Sequence, residues 1–221
     1  MKHVGKGYKK IDSAMILSGR AVYTEDLVPV HALVIKVLRS PHAFARIVTI
    51  DTAAAMRVPG VVAIYTYKDV PQRRFTLAGQ SYPEPSAYDK LLLEPLVRYV
   101  GDEVAFVVAE SEKAAKQAMW LIKVTYEVLD PVLDIHTALD HPSVVHPEED
   151  LHYNFPVGGD PKRNLACSYN HVVGDVEGEL AKCDYVVEET YFDQAASQTA
   201  METFRTFCTI DQFSSTRCLD L

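Results

Sequence analysis

Val97-Arg-Tyr-Val-Gly-Asp-Glu-Val-Ala-Phe-Val-Val-Ala-Glu110 runs into Ser111-Glu-Lys-Ala-Ala-Lys-Gln-Ala-Met-Trp-Leu121 and then into Ile122-Lys-Val-Thr-Tyr-Glu-Val128. The periodicity of this stretch changes twice, and that change decides the fold class. Val97–Val100 and Glu103–Ala109 are β-branched and apolar, with Gly101-Asp102 as a turn between them, so they read as a hairpin. Ser111 is a helix cap, because its hydroxyl can accept from the free amides of the first turn. Ala114, Ala115, Ala118, Met119 and Ile122 then recur at helical spacing and predict one buried face. Lys123–Val128 returns to period two, a strand. Strand, strand, turn, helix and strand in this order make an α+β unit.

Outward from this stretch, the rest of the first 130 residues continues the pattern. His31–Leu38 and Ala45–Ile50 read as strands broken by Arg39-Ser-Pro-His42. Asp51 is placed to cap a short helix over Thr52–Arg57, which Pro59-Gly60 stops. Val61–Tyr67 reads as a further strand ended by Asp69-Val-Pro71. Residues 72–95, with Phe75, Tyr82, Pro83, Pro85 and Tyr88, read as a loop ordered by its aromatic rings. Asp130–Leu165 holds five prolines, four histidines and Gly158-Gly159. Proline fixes φ and removes a donor, so this stretch reads as mostly extended. Beyond it, Gly174-Asp-Val-Glu177 opens a short helix ending near Lys182, and Asp184–Phe192 and Thr203–Ile210 read as strands.

The chain has 221 residues, 48% hydrophobic and 24% charged, with a net charge of −8. That balance suits a globular protein. The acid is concentrated: Asp130–Asp193 carries 14 acidic against 3 basic residues, whereas 1–129 carries 17 basic against 13 acidic. A shift this sharp near residue 130 suggests a boundary. Lys9-Lys10 and Arg73-Arg74 are too small for a nucleic-acid footprint. No apolar run is long enough to span a membrane, and no apolar segment follows the N-terminus as a secretory signal requires. Cys167, Cys183, Cys208 and Cys218 show no CxxC spacing, which excludes a zinc ribbon or iron–sulfur motif and fits free thiols in a reducing cytoplasm.

Several blocks resemble the large subunits of molybdenum hydroxylases, the xanthine dehydrogenase and aldehyde oxidase family. They are Ser18-Gly-Arg-Ala-Val-Tyr-Thr-Glu-Asp26, Leu38–Asp51, Pro59–Asp69, Val97–Glu110, Gly174–Glu177 and Val186–Tyr191. The resemblance implies an N-terminal tail over 1–11, an α/β hammerhead domain over 12–130, a Pro/His-rich acidic linker over 131–165 and the start of a molybdopterin-binding domain over 166–221. It implies a subunit that hydroxylates aldehydes or N-heterocycles with water as oxygen source, using a molybdenum–molybdopterin cofactor and partnered by iron–sulfur and FAD subunits or domains. The glycine-rich pterin loops and catalytic glutamate of complete subunits would lie beyond Leu221, so the chain is expected to be truncated and inactive alone. The tail from Phe213 no longer resembles the family. A non-catalytic assembly or binding module of the same fold is the alternative. Purine, nicotinate, aldehyde and aryl-CoA members share these blocks, so the substrate is open.

Gln198-Thr-Ala-Met-Glu202 is the nearest approach to a site motif. Gln198 falls where the family usually has His, and for Gln198 and Glu202 two roles stay open: a purely structural one, and contact with the molybdenum cofactor in an intact subunit, as the resemblance implies; no catalytic and no metal-ligating residue is expected in this chain. His136, His141, His146 and His152 are spaced by five, five and six, which places them on no common helix face and matches no structural zinc pattern. Cys167, His171 and Asp175 lack the flanking motif of a nucleophilic set. His42 and Arg46 read as turn and packing residues.

Overall fold

The structure, a computed structural model, describes residues 3–77, 86–197, 199–200, 203–209 and 217–220. The elements in chain order are α1 Ser13–Leu17, β1 Val34–Arg39, β2 Ala45–Asp51, β3 Val61–Tyr65, β4 Ala87–Tyr88, β5 Leu96–Val97, β6 Glu103–Ala109, α2 Glu112–Leu121, β7 Lys123–Val128, α3 Ile135–Ala138, β8 His152–Tyr153, α4 Val176–Leu180, β9 Thr206–Thr209 and β10 Arg217–Asp220. They fall into two compact units, residues 33–186 and residues 1–32 with 187–221.

In the larger unit, β6 lies between β1 and β3, antiparallel to both. A second three-stranded sheet has β2 at its centre, between β5 and β7. Helix α2 lies on the first sheet. Ser111 Oγ accepts from Ala114 N at its first turn, and Ala114, Ala115, Ala118 and Ile122 pack on Ala105, Val107 and Ala109 of β6. Alanine on both sides of the contact lets the helix backbone approach the sheet. Gly60 closes the end of this layer at φ +85°, a left-handed conformation that favours glycine, and its carbonyl accepts from Glu110 N. Ala45, Ile47, Val97 and Val104 form a second core between the two sheets' strands.

In the smaller unit, β9 and β10 pair antiparallel with Cys208 opposite Cys218. Arg205 pairs with Glu25, and Asp26 accepts from Tyr23 N to fix the 3-10 turn Thr24–Leu27.

Three expectations are corrected. The hairpin of 97–100 with 103–109 does not form: β5 pairs with β2, and β6 pairs with β1 and β3. Gly101, at φ +102°, and Asp102 carry the chain from one sheet to the other. Asp102 is only 3% exposed, and its carboxylate accepts from the backbone amides of Arg98 and Glu103, so the turn is locked by a buried acid. The helix over Thr52–Arg57 shrinks to the 3-10 turn Ala55–Arg57. Asp51 stays in β2 opposite Lys123, its side chain accepts from Ala53 N, and Val58 before Pro59 is extended, as that position demands. No strand forms over Asp184–Phe192, where Tyr185, Tyr191 and Phe192 are exposed; alternation makes a strand only where an edge exists to pair with.

Ala118 is fully buried in the α2 contact. Ala118→Leu is expected to overfill it and lower stability in urea unfolding by about 1–3 kcal/mol. A change inside about 0.5 kcal/mol, the behaviour of an open surface position, would contradict the packing.

Candidate functional site

Residues 131–167 dock on residues 74–77 and 86–98 through charge. Glu94, Arg74 and Arg98 are all buried side chains. Arg98 Nη1 donates to Glu94 Oε2 at 2.8 Å, its Nε donates to Val145 O at 3.1 Å, and its Nη2 pairs with Glu148. Arg74 Nε lies 2.8 Å from Asp150 Oδ1, and Arg74 Nη1 donates to Asp89 O. Two guanidiniums thus each join an acid of the 74–98 segment or its backbone to an acid of the 148–150 segment. Arginine suits this role because its planar fork donates in several directions at once. Nearby, Lys90 Nζ lies 2.5 Å from Asp102 Oδ1 and 3.1 Å from Glu103 Oε2. Burial opposes the Lys90 charge, but these two acids outweigh it and raise its pKa.

The backbone of the docked segment is held by Asn164. Standing in the left-handed region at φ 55°, it accepts from Val145 N and donates to Ala138 O and Ser143 O. Arg163 donates twice to Asp140, at 2.6 and 2.8 Å. Strand β8 pairs with β4, His152 stacks on Tyr88 with centroids 4.8 Å apart, and Asn154 donates to the Tyr88 hydroxyl.

Between β4, β8 and the loops around α3 lies a cavity of about 570 Å³. Its walls include Val132, Val145, Leu151, Val157 and Leu165, with Asp89, His146, Tyr153 and Cys167 as polar groups. Burial pushes the Tyr153 phenol pKa up, and the negative charges of Asp89 and Asp160 push it further.

The residues singled out by sequence are dispersed. Gln198 and Glu202 lie outside the described residues. His136 sits on α3, His141 accepts from Ser143 N, His146 lines the cavity and His152 stacks on Tyr88. Among the described residues no group of three or more His, Cys, Asp or Glu could hold a metal ion. Cys167 lines the cavity, while His171 stacks on Tyr169 and Asp175 caps α4 by accepting from Gly178 N. His42 packs edge-on against Tyr126, and Arg46 pairs with Glu127. Sequence reasoning missed Arg74, Glu94, Arg98 and Glu148 as a cluster. An arginine and a glutamate four apart, Glu94 and Arg98, were the available signal, but Glu148 lies 50 residues on and only folding brings it there.

Residues 18–130 match the family described as aldehyde oxidase and xanthine dehydrogenase, a/b hammerhead domain. Probable hypoxanthine oxidase XdhD of Escherichia coli (strain K12) is 39% identical over 94% of this chain and 24% of its own length. The xanthine dehydrogenase molybdenum-binding subunit of Escherichia coli O157:H7 is 31% identical over 87% of this chain and 24% of its own. Among solved structures, quinoline 2-oxidoreductase from Pseudomonas putida 86 superposes with a TM-score of 0.52 and 37% identity, over 61% of this chain and 17% of that one. The chain spans about a quarter of the length of the curated relatives it matches.

Burial alone would raise the Glu148 carboxyl, but His146 and the charge of Arg98 outweigh it and bring its pKa from 4.5 to about 2. A lowered folded-state pKa contributes stability above the unfolded value and loses it as pH falls through the folded one. Glu148→Gln is therefore expected to cost about 1–3 kcal/mol at neutral pH. The gap between variant and parent should close as pH falls from 4.5 towards about 2. Parallel urea titrations at several pH values measure this, and a gap independent of pH would contradict an ionic role for Glu148.

Proposed function

The chain belongs to the aldehyde oxidase and xanthine dehydrogenase family, and from that membership we propose that it is the scaffold part of a molybdenum-dependent hydroxylase large subunit. The longer protein oxidises aldehydes or N-heterocycles with water as oxygen source, in the cytoplasm, passing electrons to iron–sulfur and FAD subunits or domains. Residues 12–130 serve as its hammerhead domain, 131–165 as the connection and 166–221 as the opening of the molybdopterin-binding domain. Gln198 and Glu202 approach the cofactor there. In this reading the chain's own part is structural. No helix among the described residues is long and apolar enough to cross a membrane.

One observation carries the scaffold reading. Side chains alternate across a strand, and α2 covers the face of the first sheet that bears Leu38, Ala105, Val107 and Ile64. The opposite face presents two cross-strand rows, Ile35–Val108–Ala63 and Val37–Phe106–Tyr65. All six residues are apolar or aromatic, and Ile35 and Tyr65 are 61% and 43% exposed. A contiguous apolar face of this kind marks an interaction surface. The occupant we assign is the part of the longer subunit that the relatives carry beyond the quarter matched by this chain.

The gene product tagged at its N-terminus and purified from its own cells is expected to carry molybdenum, FAD and iron–sulfur and to oxidise an aldehyde or an N-heterocycle. The 221-residue chain expressed alone should carry no molybdenum and turn over neither xanthine nor an aldehyde. A native preparation free of molybdenum, or stoichiometric molybdopterin on the isolated chain, would overturn the assignment.

A further inference from the structure

The smaller unit places two cysteines face to face. Strands β9 and β10 run antiparallel through four consecutive register pairs, and Cys208 stands directly opposite Cys218. The pairs Phe207–Leu219 and Thr209–Arg217 flank them, so the cysteines lie inside the ladder and not at its end. Opposite residues of an antiparallel ladder have Cα atoms about 4.5 or 5.5 Å apart. A disulfide bridges Cα atoms about 4.4–6.8 Å apart. Either kind of pair therefore admits the bond with the backbone where it is. Cys208 is exposed and so open to an oxidant. Of the other two cysteines, neither Cys167 nor Cys183 stands in a strand. Cys218 lies beyond Phe213, where the chain no longer resembles the hydroxylase blocks, so the pair is a feature of this chain.

We propose that Cys208 and Cys218 form a reversible cross-strand disulfide, made by glutathione disulfide and undone by glutathione. The Cys208 thiolate attacks one sulfur of glutathione disulfide and releases one glutathione. The Cys218 thiolate then attacks the protein sulfur of that mixed disulfide and releases the second. Two protein thiols lose two electrons and two protons, and one glutathione disulfide gains them as two thiols. The bond matters because β9 and β10 form a sheet of two strands only among the described residues. A two-stranded ladder is marginal in water by itself, and a link between inner residues removes the open conformations of 208–218. The redox state of the surroundings would thereby set how long this ladder stays closed. In a reducing compartment such a bond is transient, the usual form of a redox-sensing disulfide. The proposal does not depend on the molybdenum reading.

The test incubates the reduced 221-residue chain with glutathione disulfide under native conditions, quenches with acid and maps the peptides by mass spectrometry. A 208–218 link with a mass loss of about 2 Da is expected, and added glutathione should reverse it. Closure should be at least about tenfold faster in the folded chain than in urea, because folding holds the thiols together. Cys218→Ser should stop at the mixed disulfide on Cys208. Cys218→Ser with Leu219→Cys moves the thiol opposite Phe207, onto the other face of the ladder, and should close at least about tenfold more slowly. The Cys167→Ser, Cys183→Ser double variant should close as the parent does. Amide exchange across Thr206–Thr209 should slow at least about tenfold in the oxidised chain. Glutathione adducts without ring closure, a link to Cys167 or Cys183, equal rates in buffer and urea, equal closure from position 219, or unchanged amide exchange would each overturn the proposal.

Discussion

Asp102 is the constraint on which the larger unit depends. Its buried carboxylate receives the Lys90 ammonium and the backbone amides of Arg98 and Glu103. Its own carbonyl accepts from Ser40 N, and the neighbouring Gly101 N donates to Ser40 O. A buried anion left without partners would cost several kcal/mol, so the chain can cross at this point only in the conformation that presents these donors. That crossing sends β5 to one sheet and β6 to the other. With both strands fixed, the α2 face meets Ala105, Val107 and Ala109, and the second core closes around Val97 and Val104.

The ionic system extends from that crossing. Four residues before Asp102, Arg98 reaches Glu94 on its own segment and Glu148 across the fold. Arg74 repeats the arrangement with Asp150. The segment 131–167 has little regular structure and few apolar residues facing a core, so hydrophobic burial alone would hold it weakly. The desolvated Arg98–Glu148 contact, the Arg74–Asp150 pair, the Asn164 bonds and the short β4–β8 pairing hold it instead. A segment fixed by charge and hydrogen bonds encloses an apolar cavity, because its few aliphatic side chains point inwards from a polar frame. Asp89 and His146 give this otherwise apolar space a polar corner.

The two faces of the first sheet show how one pattern serves two tasks. The face under α2 carries alanines on β6 at the helix contact and is closed within the chain. The opposite face, with Ile35, Phe106 and Tyr65, keeps Ile35 and Tyr65 exposed. A chain that matches about a quarter of its relatives' length, with such a face exposed, fits the role of one packed part of a larger subunit.

The sequence by itself determined the local elements whose cause is local. The Ser111 cap, the alanine face of α2, the period-two strand Lys123–Val128 and the Asp175-capped turn into α4 all stand where periodicity and capping place them. The family was legible too, because its blocks are contiguous stretches such as Leu38–Asp51 and Val97–Glu110. Only the tertiary structure decided which strand pairs with which. Val97–Val100 has the composition of a hairpin arm, and its neighbour Asp102 reads as an ordinary turn residue until burial makes it a lock. Likewise Glu148 and Arg98 are 50 residues apart, and nothing in the composition of either neighbourhood marks them as partners. Backbone propensity acts over a turn or two of chain, whereas the desolvation that makes a buried charge decisive exists only once distant segments have excluded water.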